Sequence, residues 1–311
     1  MTLDVGALRN VVTVADGGIS TQLQLRGLPG ALMAETANVS HPQLVQDLAR
    51  AYLDAGARFL TTNTFAANCF ALERRKAAHS VADVNQRGAE LIRAAIEGWR
   101  PTGKAASAAE RRGAAIPPTL VAGSIGPSGK ILAVREATEE QLAPAFAEQA
   151  KALAAGGADV IVLETFSELR EIVLALQAVK QATGLPVIAS MSFDSGPQRT
   201  RTMMGAKAEE CGAALDEAGA DIIGCNCGGG ISTILPAVVA LRAATKKPLW
   251  VKPNAGLPEL EDGKPVWRQT PEEFAAFLPQ ILDAGANIVG GCCGSGPEHI
   301  RKISGLVARR S

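Results

Sequence analysis

The segment Gly290-Gly291-Cys292-Cys293-Gly294 follows directly on an apolar run, Asn287 to Val289. Far upstream, Cys227 closes another such run, Asp221-Ile222-Ile223-Gly224-Cys225-Asn226-Cys227. Both runs read as β-strands, so three thiols stand at two strand ends. Thiolates bind Zn2+ at about 2.3 Å, and the metal keeps them ionised. Zinc with three protein ligands keeps one position open for a reactant. Two adjacent cysteines and one remote one do not have zinc-finger spacing, and cysteine is also a small buried hydrophobe. That plainer reading is preferred for Cys69, Cys211 and Cys225. The glycines around Cys292 and Cys293 also fit a phosphate loop after the last strands of a barrel, where two thiols would be out of place. A redox pair ranks lower still, because such motifs separate their cysteines by two residues.

Asp16 and Glu164 each follow an apolar run, so both are expected to point into the same mouth as the thiols. Two acids at a concave site serve general acid-base work or hold an ammonium group by charge-assisted hydrogen bonds. Gly17 and Gly18 let the backbone approach a ligand closely, and their N–H groups suit a carboxylate. Acids for an ammonium, amides for a carboxylate and a metal for a thiol describe a site for a thiol amino acid. Lys252, at a strand end before Pro253, is the one lysine in a Schiff-base setting; a structural lysine is the plainer reading.

The elements that position these residues alternate along the chain. Strands are expected at Val11-Ala15, Arg58-Thr62, Leu120-Gly123, Val160-Leu163, Val187-Met191, Ile222-Cys225, Leu249-Lys252 and Ile288-Gly290. Helical periodicity lies between them, as at His41-Ala55, Glu139-Ala155, Glu168-Thr183 and Pro271-Ala284. Ala55-Gly56-Ala57, Ala218-Gly219-Ala220 and Ala284-Gly285-Ala286 each place a glycine where a left-handed helix cap leads straight into a strand. Strand and helix eight times over predicts a single-domain (β/α)8 barrel spanning residues 1–311, with a doubly wound open sheet as runner-up. In a barrel the strand C-termini converge on one rim, where active sites lie. The stretch Arg100 to Pro118 has no periodicity and is expected to be an exposed loop away from that rim.

Composition narrows the partners. The chain carries 31 basic and 31 acidic residues. Nucleic acids and anionic membranes call for a basic excess, so neither is expected. Aromatics make up only 4%, too few for base-stacking platforms. Six cysteines in 311 residues are not a disulfide framework. No signal pattern opens the chain, and no apolar run nears the roughly 20 residues of a membrane span. A cytoplasmic protein is expected.

Several segments together resemble the homocysteine S-methyltransferase family. They are Asp16-Gly17-Gly18-(x)2-Thr21-Gln22-Leu23, Glu35-(x)2-Asn38, Tyr52-Leu53-Asp54-Ala55-Gly56-Ala57, Thr62-Asn63-Thr64-Phe65, Gly123-Ser124-Ile125-Gly126-Pro127, Gly224-Cys225-Asn226-Cys227 and Gly291-Cys292-Cys293-Gly294. The resemblance runs from about Asp16 to His299. It implies a zinc-dependent (β/α)8 barrel with Cys227, Cys292 and Cys293 as zinc ligands. It implies Asp16 and Glu164 on the homocysteine amino group, amides near Gly17 and Gly18 on its carboxylate, and Asn63 in the substrate site. Lys252-Pro253-Asn254-Ala255-Gly256 and the Thr62 to Asn68 segment look most like the homocysteine module of cobalamin-dependent methionine synthase. There, an asparagine at the position of Asn254 fills the fourth zinc site until substrate displaces it.

The chain departs from that module in two ways. It ends after one barrel and has no Asp-x-His-x-x-Gly corrinoid signature, so a separate methyl-corrinoid protein is the expected donor to L-homocysteine. S-methylmethionine, betaine or another small donor is the alternative. Cys225 stands where an apolar residue is usual and is expected to pack as core. The rival readings are a non-catalytic zinc- and thiol-binding subunit of a corrinoid complex, and a phosphate-binding aldolase-like barrel.

Overall fold

The eight expected strands all form, and they pair in parallel. The computed structural model describes residues 3–100, 118–261 and 264–310. The strands are β1 (Thr13–Val14), β2 (Phe59–Thr61), β3 (Leu120–Ile125), β4 (Val160–Phe166), β5 (Val187–Met191), β6 (Ile222–Cys227), β7 (Leu249–Pro253) and, after a small hairpin of β8 (Glu259–Glu261) and β9 (Lys264–Val266), β10 (Ile288–Val289). The sheet order is β1-β10-β7-β6-β5-β4-β3-β2. A parallel bridge between Ala15 and Phe59 brings its two edges together, with Arg58 N–H donating to the Val14 carbonyl at 2.7 Å. Closing the ring removes the two edges of the eight-stranded sheet.

Side-chain alternation divides the strands into two faces. Leu60, Val121, Ile161, Leu163, Ala189, Ile223 and Val251 face the helices. Phe59, Leu120, Ala122, Val160, Val162, Ile188, Ile222, Trp250 and Ile288 fill the barrel interior, and Leu8 closes its lower end. Phe59 and Trp250 meet edge to face, with centroids 5.8 Å apart. Gly224 faces Trp250, and its missing side chain leaves the space that the Trp250 carbonyl and Cβ occupy.

The outer helices follow the expected caps. The helix Pro42–Ala55 ends on Gly56 at φ 101, and Gly219 and Gly285 are also left-handed, at φ 87 and 95. The helix expected over Pro271-Ala284 is instead two, Pro271–Ala276 and Leu278–Asp283. Pro279 has no N–H to continue the ladder, and its ring crowds the preceding turn. The β8–β9 hairpin went unpredicted because its strands are only three residues each, too short to establish a period. The loop expected over Arg100 to Pro118 falls, except for its two end residues, outside the described residues. Among the described residues no helix is long and apolar enough to cross a membrane.

Gly224→Ala should destabilise the barrel. An added Cβ collides with the Trp250 carbonyl oxygen and Cβ, and overpacking of this kind costs about 1–3 kcal/mol. Urea unfolding of the variant measures it; an unchanged midpoint would show that the interior has slack at this layer.

Candidate metal and substrate site

Three strand ends build the site. Cys227 ends β6, Asn254 follows β7, and Cys292 and Cys293 lie in the loop after β10. Backbone hydrogen bonds tie these segments together. Cys292 N–H donates to the Pro253 carbonyl at 2.7 Å, Ala255 N–H to the Cys293 carbonyl at 3.0 Å, and Asn254 N–H to the Cys227 carbonyl at 3.3 Å. The three Sγ atoms all lie within 4.8 Å of one another, and those of Cys227 and Cys292 are 2.9 Å apart.

Such a cluster is electrostatically unsettled on its own. Donating to Cys292 and Cys293 holds the Cys227 thiol well above its usual pKa. The hydrogen bonds that Cys293 receives from Cys227 and Cys292 pull it down to about 4. Sulfurs this close cannot all ionise in a partly dry site unless a cation joins them. The donor set therefore fits a thiolate-binding metal ion. A second observation agrees: Asn254 Oδ1 is buried with no hydrogen-bond partner, while its Nδ2 donates to the Gly228 carbonyl at 2.9 Å.

Two strained residues aim the thiol of Cys227. Cys227 has φ 59, and Thr165, whose Oγ1 lies 3.6 Å from the Cys227 Sγ, has φ 64. Neither is glycine, and Thr165 is β-branched, so both conformations are unusual. Asn226 holds them in place. Its Oδ1 accepts from Thr165 N–H at 2.9 Å and Ser190 Oγ at 2.6 Å. Its Nδ2 donates to Thr165 Oγ1 at 2.6 Å and reaches Cys227 Sγ at 3.4 Å.

The thiols open onto a cavity of about 220 Å3 lined by Gly17, Gly18, Asn63, Phe65, Glu164, Lys252 and all three cysteines, among others. Its floor is polar. Thr61, Ser124, Glu164, Ser190 and Lys252 each stand two residues beyond an interior apolar side chain, so they form the next inward layer. Glu164 accepts from Ser124 Oγ at 2.5 Å. Burial pushes its pKa up to about 7, Lys252 opposing and Cys292 adding to the rise. Burial pulls Lys252 down, but Asp16 and Glu164 outweigh it and leave the ammonium above its ordinary value.

Of the residues singled out by sequence, Cys227, Cys292, Cys293, Glu164, Gly17, Gly18 and Asn63 all line this one cavity. Asp16 does not. It lies 1% exposed behind the wall, bonded through Oδ1 to Lys252 at 2.5 Å and through Oδ2 to the N–H and hydroxyl of Thr61 at 2.7 and 2.8 Å. Gly18 N–H is taken by the Ser295 carbonyl at 3.0 Å. A side chain at Gly17 or Gly18 would strike Tyr52, Ser295 or the Cys292 carbonyl, so these glycines let the β1 loop pack on the thiol loop. The Asn63 amide bonds to the Ala34 carbonyl at 2.6 Å and Asn38 at 3.2 Å. Cys211 and Cys225 are buried, while Cys69 is half-buried. Sequence reasoning gave Asn226, Thr165 and Ser124 no role. For Ser124 and Asn226 the signal was a polar residue at an inward position of an otherwise apolar strand, whereas Thr165 breaks the alternation one residue after Glu164, where the β4–β5 register shifts.

Comparison with known proteins bears on what this site serves. The homocysteine S-methyltransferase family model matches residues 13–307. The methionine synthase of Mycobacterium tuberculosis is 32% identical over 323 residues, a match covering 98% of this chain and 25% of that protein. That of Mycobacterium leprae is 31% identical over 314 residues, covering 96% of this chain and 24% of that one. The chain thus spans about a quarter of the length of these curated relatives. The metallated form of the homocysteine methyltransferase MmuM from Escherichia coli superposes with a TM-score of 0.76 at 24% identity, over 98% of this chain and 99% of that one, which establishes a shared barrel fold. Since the family model covers nearly the whole chain, this protein belongs to the homocysteine S-methyltransferase family.

Proposed function

We propose that this barrel methylates the sulfur of L-homocysteine to give methionine, using zinc held by Cys227, Cys292 and Cys293. The observation that carries the reading is the meeting of three thiols and a cavity-facing carboxylate, Glu164, around one small chamber. A chamber of about 220 Å3 is below the roughly 300–1,000 Å3 of drug-sized pockets and suits an amino acid. Bound zinc would supply Lewis-acid activation, keeping the substrate thiol ionised at neutral pH. Asn254, with its unpartnered Oδ1, would be the fourth ligand of the resting site. Asp16 and Glu164 give the floor its negative charge for the substrate ammonium. The backbone at Gly17 and Gly18 takes the carboxylate, with Gly17 favoured because Gly18 N–H is already engaged. Asn63 shapes the wall beside them. The ionised sulfur attacks the methyl carbon: the S–C bond forms, the bond to the donor breaks, and its electron pair leaves with the donor.

The rim supports a protein as donor. Leu25, Leu32, Val134, Met203, Met204, Leu257 and Leu260 are exposed, and all lie in connections that follow strand C-termini. Leu25 and Leu260 are 78% and 81% exposed. Apolar residues gathered around a mouth mark an interaction surface. A methyl-corrinoid protein or domain docking there brings its methyl group to the chamber.

Zinc-edge X-ray absorption should find three sulfurs and one light atom, becoming four sulfurs when homocysteine is added. Cys292→Ala and Cys293→Ala should each lose the metal and all turnover; a variant retaining both would end the proposal.

Homocysteine affinity should rise with pH where Glu164 titrates. The free carboxyl is held up at about 7 and must ionise to pair with an ammonium, so protonation competes with binding below that value. Titrating homocysteine against 4-mercaptobutanoate between about pH 6 and about pH 8 isolates this effect, since both ligands share the thiol. Glu164→Gln should flatten the difference, and a flat wild-type profile would remove Glu164 from the ammonium.

Leu257→Glu with Leu260→Glu should raise the KM for a methyl-corrinoid protein roughly tenfold or more while sparing transfer from free methylcobalamin. Equal effects on both donors would argue against docking at this rim.

A further inference from the structure

Among the described residues, Lys252 is the only lysine or arginine buried from solvent, and thiol methylation as set out above makes no use of it. It points inward at the end of β7, its Nζ 5.2 Å from the centre of the Trp250 ring below. Nζ donates to Asp16 Oδ1 at 2.5 Å, with the two side chains 3% and 1% exposed. The other Asp16 oxygen is filled by Thr61. The two floor acids are therefore not equivalent. Asp16 has its cation within the protein and lies outside the cavity lining, whereas Glu164 faces the cavity with a serine hydroxyl as its bonded partner.

We infer that Lys252 is a built-in counter-ion that occupies Asp16 and leaves Glu164 as the one carboxylate that selects the substrate's α-ammonium. This rests on the proposed reading of the cavity as a site for an α-amino thiol and refines it. One buried carboxylate, one half-buried carboxylate and one internal ammonium leave the floor one positive charge short. A ligand carrying an ammonium completes the count. A thiol without one leaves Glu164 facing a recessed cavity unpaired, or forces it to take up a proton. Rejection of such thiols follows from that deficit rather than from shape. Lysine suits the role because its compact ammonium directs one donor to Asp16 and still acts on Glu164 across the floor. Lys252 is thus a positioning residue that sets specificity through Asp16.

The test measures the affinity of metal-loaded protein for homocysteine and for 4-mercaptobutanoate by calorimetry. Wild type should prefer homocysteine, and Glu164→Gln should bring the two ligands to similar affinity. Lys252→Met should increase the preference by about tenfold or more, because the ligand ammonium becomes the only cation for two carboxylates. Lys252→Arg, which keeps the charge, should behave as wild type. If Lys252→Met does not fold, Asp16→Asn with Lys252→Met removes both charges together and should keep the wild-type preference. An unchanged preference in a folded Lys252→Met protein overturns the inference. So does an Asp16→Asn variant that loses the preference as fully as Glu164→Gln, since Asp16 would then be the direct partner. Wild-type protein that binds neither thiol would sink the homocysteine reading itself, a result distinct from wild-type selectivity that Lys252 does not influence.

Discussion

Three sulfurs held within 4.8 Å of one another are the constraint on which the rest of this structure depends. Bringing them together requires the ends of β6, β7 and the β10 loop to meet, and the closed parallel ring gives that convergence. The arrangement is costly. Cys227 and Thr165 both occupy left-handed backbone conformations, at about 1–3 kcal/mol each. Asn226 offsets part of that cost by bonding Thr165 on two sides while reaching Cys227. The rest is electrostatic. Thiols this close resist ionising together, and a divalent cation converts that repulsion into binding energy. Strain and charge frustration thus point to the same ligand.

The layer beneath obeys the same logic with oxygen and nitrogen in place of sulfur. An apolar barrel interior topped by Phe59 and Trp250 gives way within one pleat to Thr61, Ser124, Glu164, Ser190 and Lys252. Polar groups in such a place must find partners, because an unpaired one costs more than a bonded one gains. Ser124 bonds Glu164, Ser190 bonds Asn226, and Thr61 and Lys252 together satisfy Asp16. Only Glu164 keeps a face toward the cavity without a matching positive charge of its own. Under the proposed function, the thiol layer would hold the metal that activates a substrate thiol, and the floor layer would read what that thiol is attached to.

Much of this was legible in the sequence, for identifiable reasons. Strand runs such as Val160 to Leu163 are short, β-branched and apolar, and glycine caps such as Gly56 mark where helices stop. The three metal-site cysteines stood out because thiols are rare at strand ends. What stayed hidden depended on partners distant in sequence. Asp16 and Glu164 look alike as residues after apolar strands, and what distinguishes them is the ammonium of Lys252, which arrives from the far end of the chain. Gly17 and Gly18 suggested an open ligand cradle; their tight contacts with Ser295 and Cys292 show that they also serve loop packing. The left-handed turns at Thr165 and Cys227 had no glycine to announce them.

The size of the chamber decides how the reaction must be organised. About 220 Å3 is the scale of an amino acid, well below that of a corrinoid. Under the proposed function, the barrel prepares the nucleophile and the electrophile approaches from the rim. A small cationic donor would need only a polar approach. The rim instead exposes leucines and methionines, together with the β8–β9 hairpin that carries Leu260. The Trp267 indole that follows this hairpin packs against Gly294, beside Cys293. Rim and metal loop are thus in direct contact through one side chain. A force on the hairpin bears on the loop that holds two of the three thiols, so under the proposed function donor docking and thiol presentation would share one mechanical element.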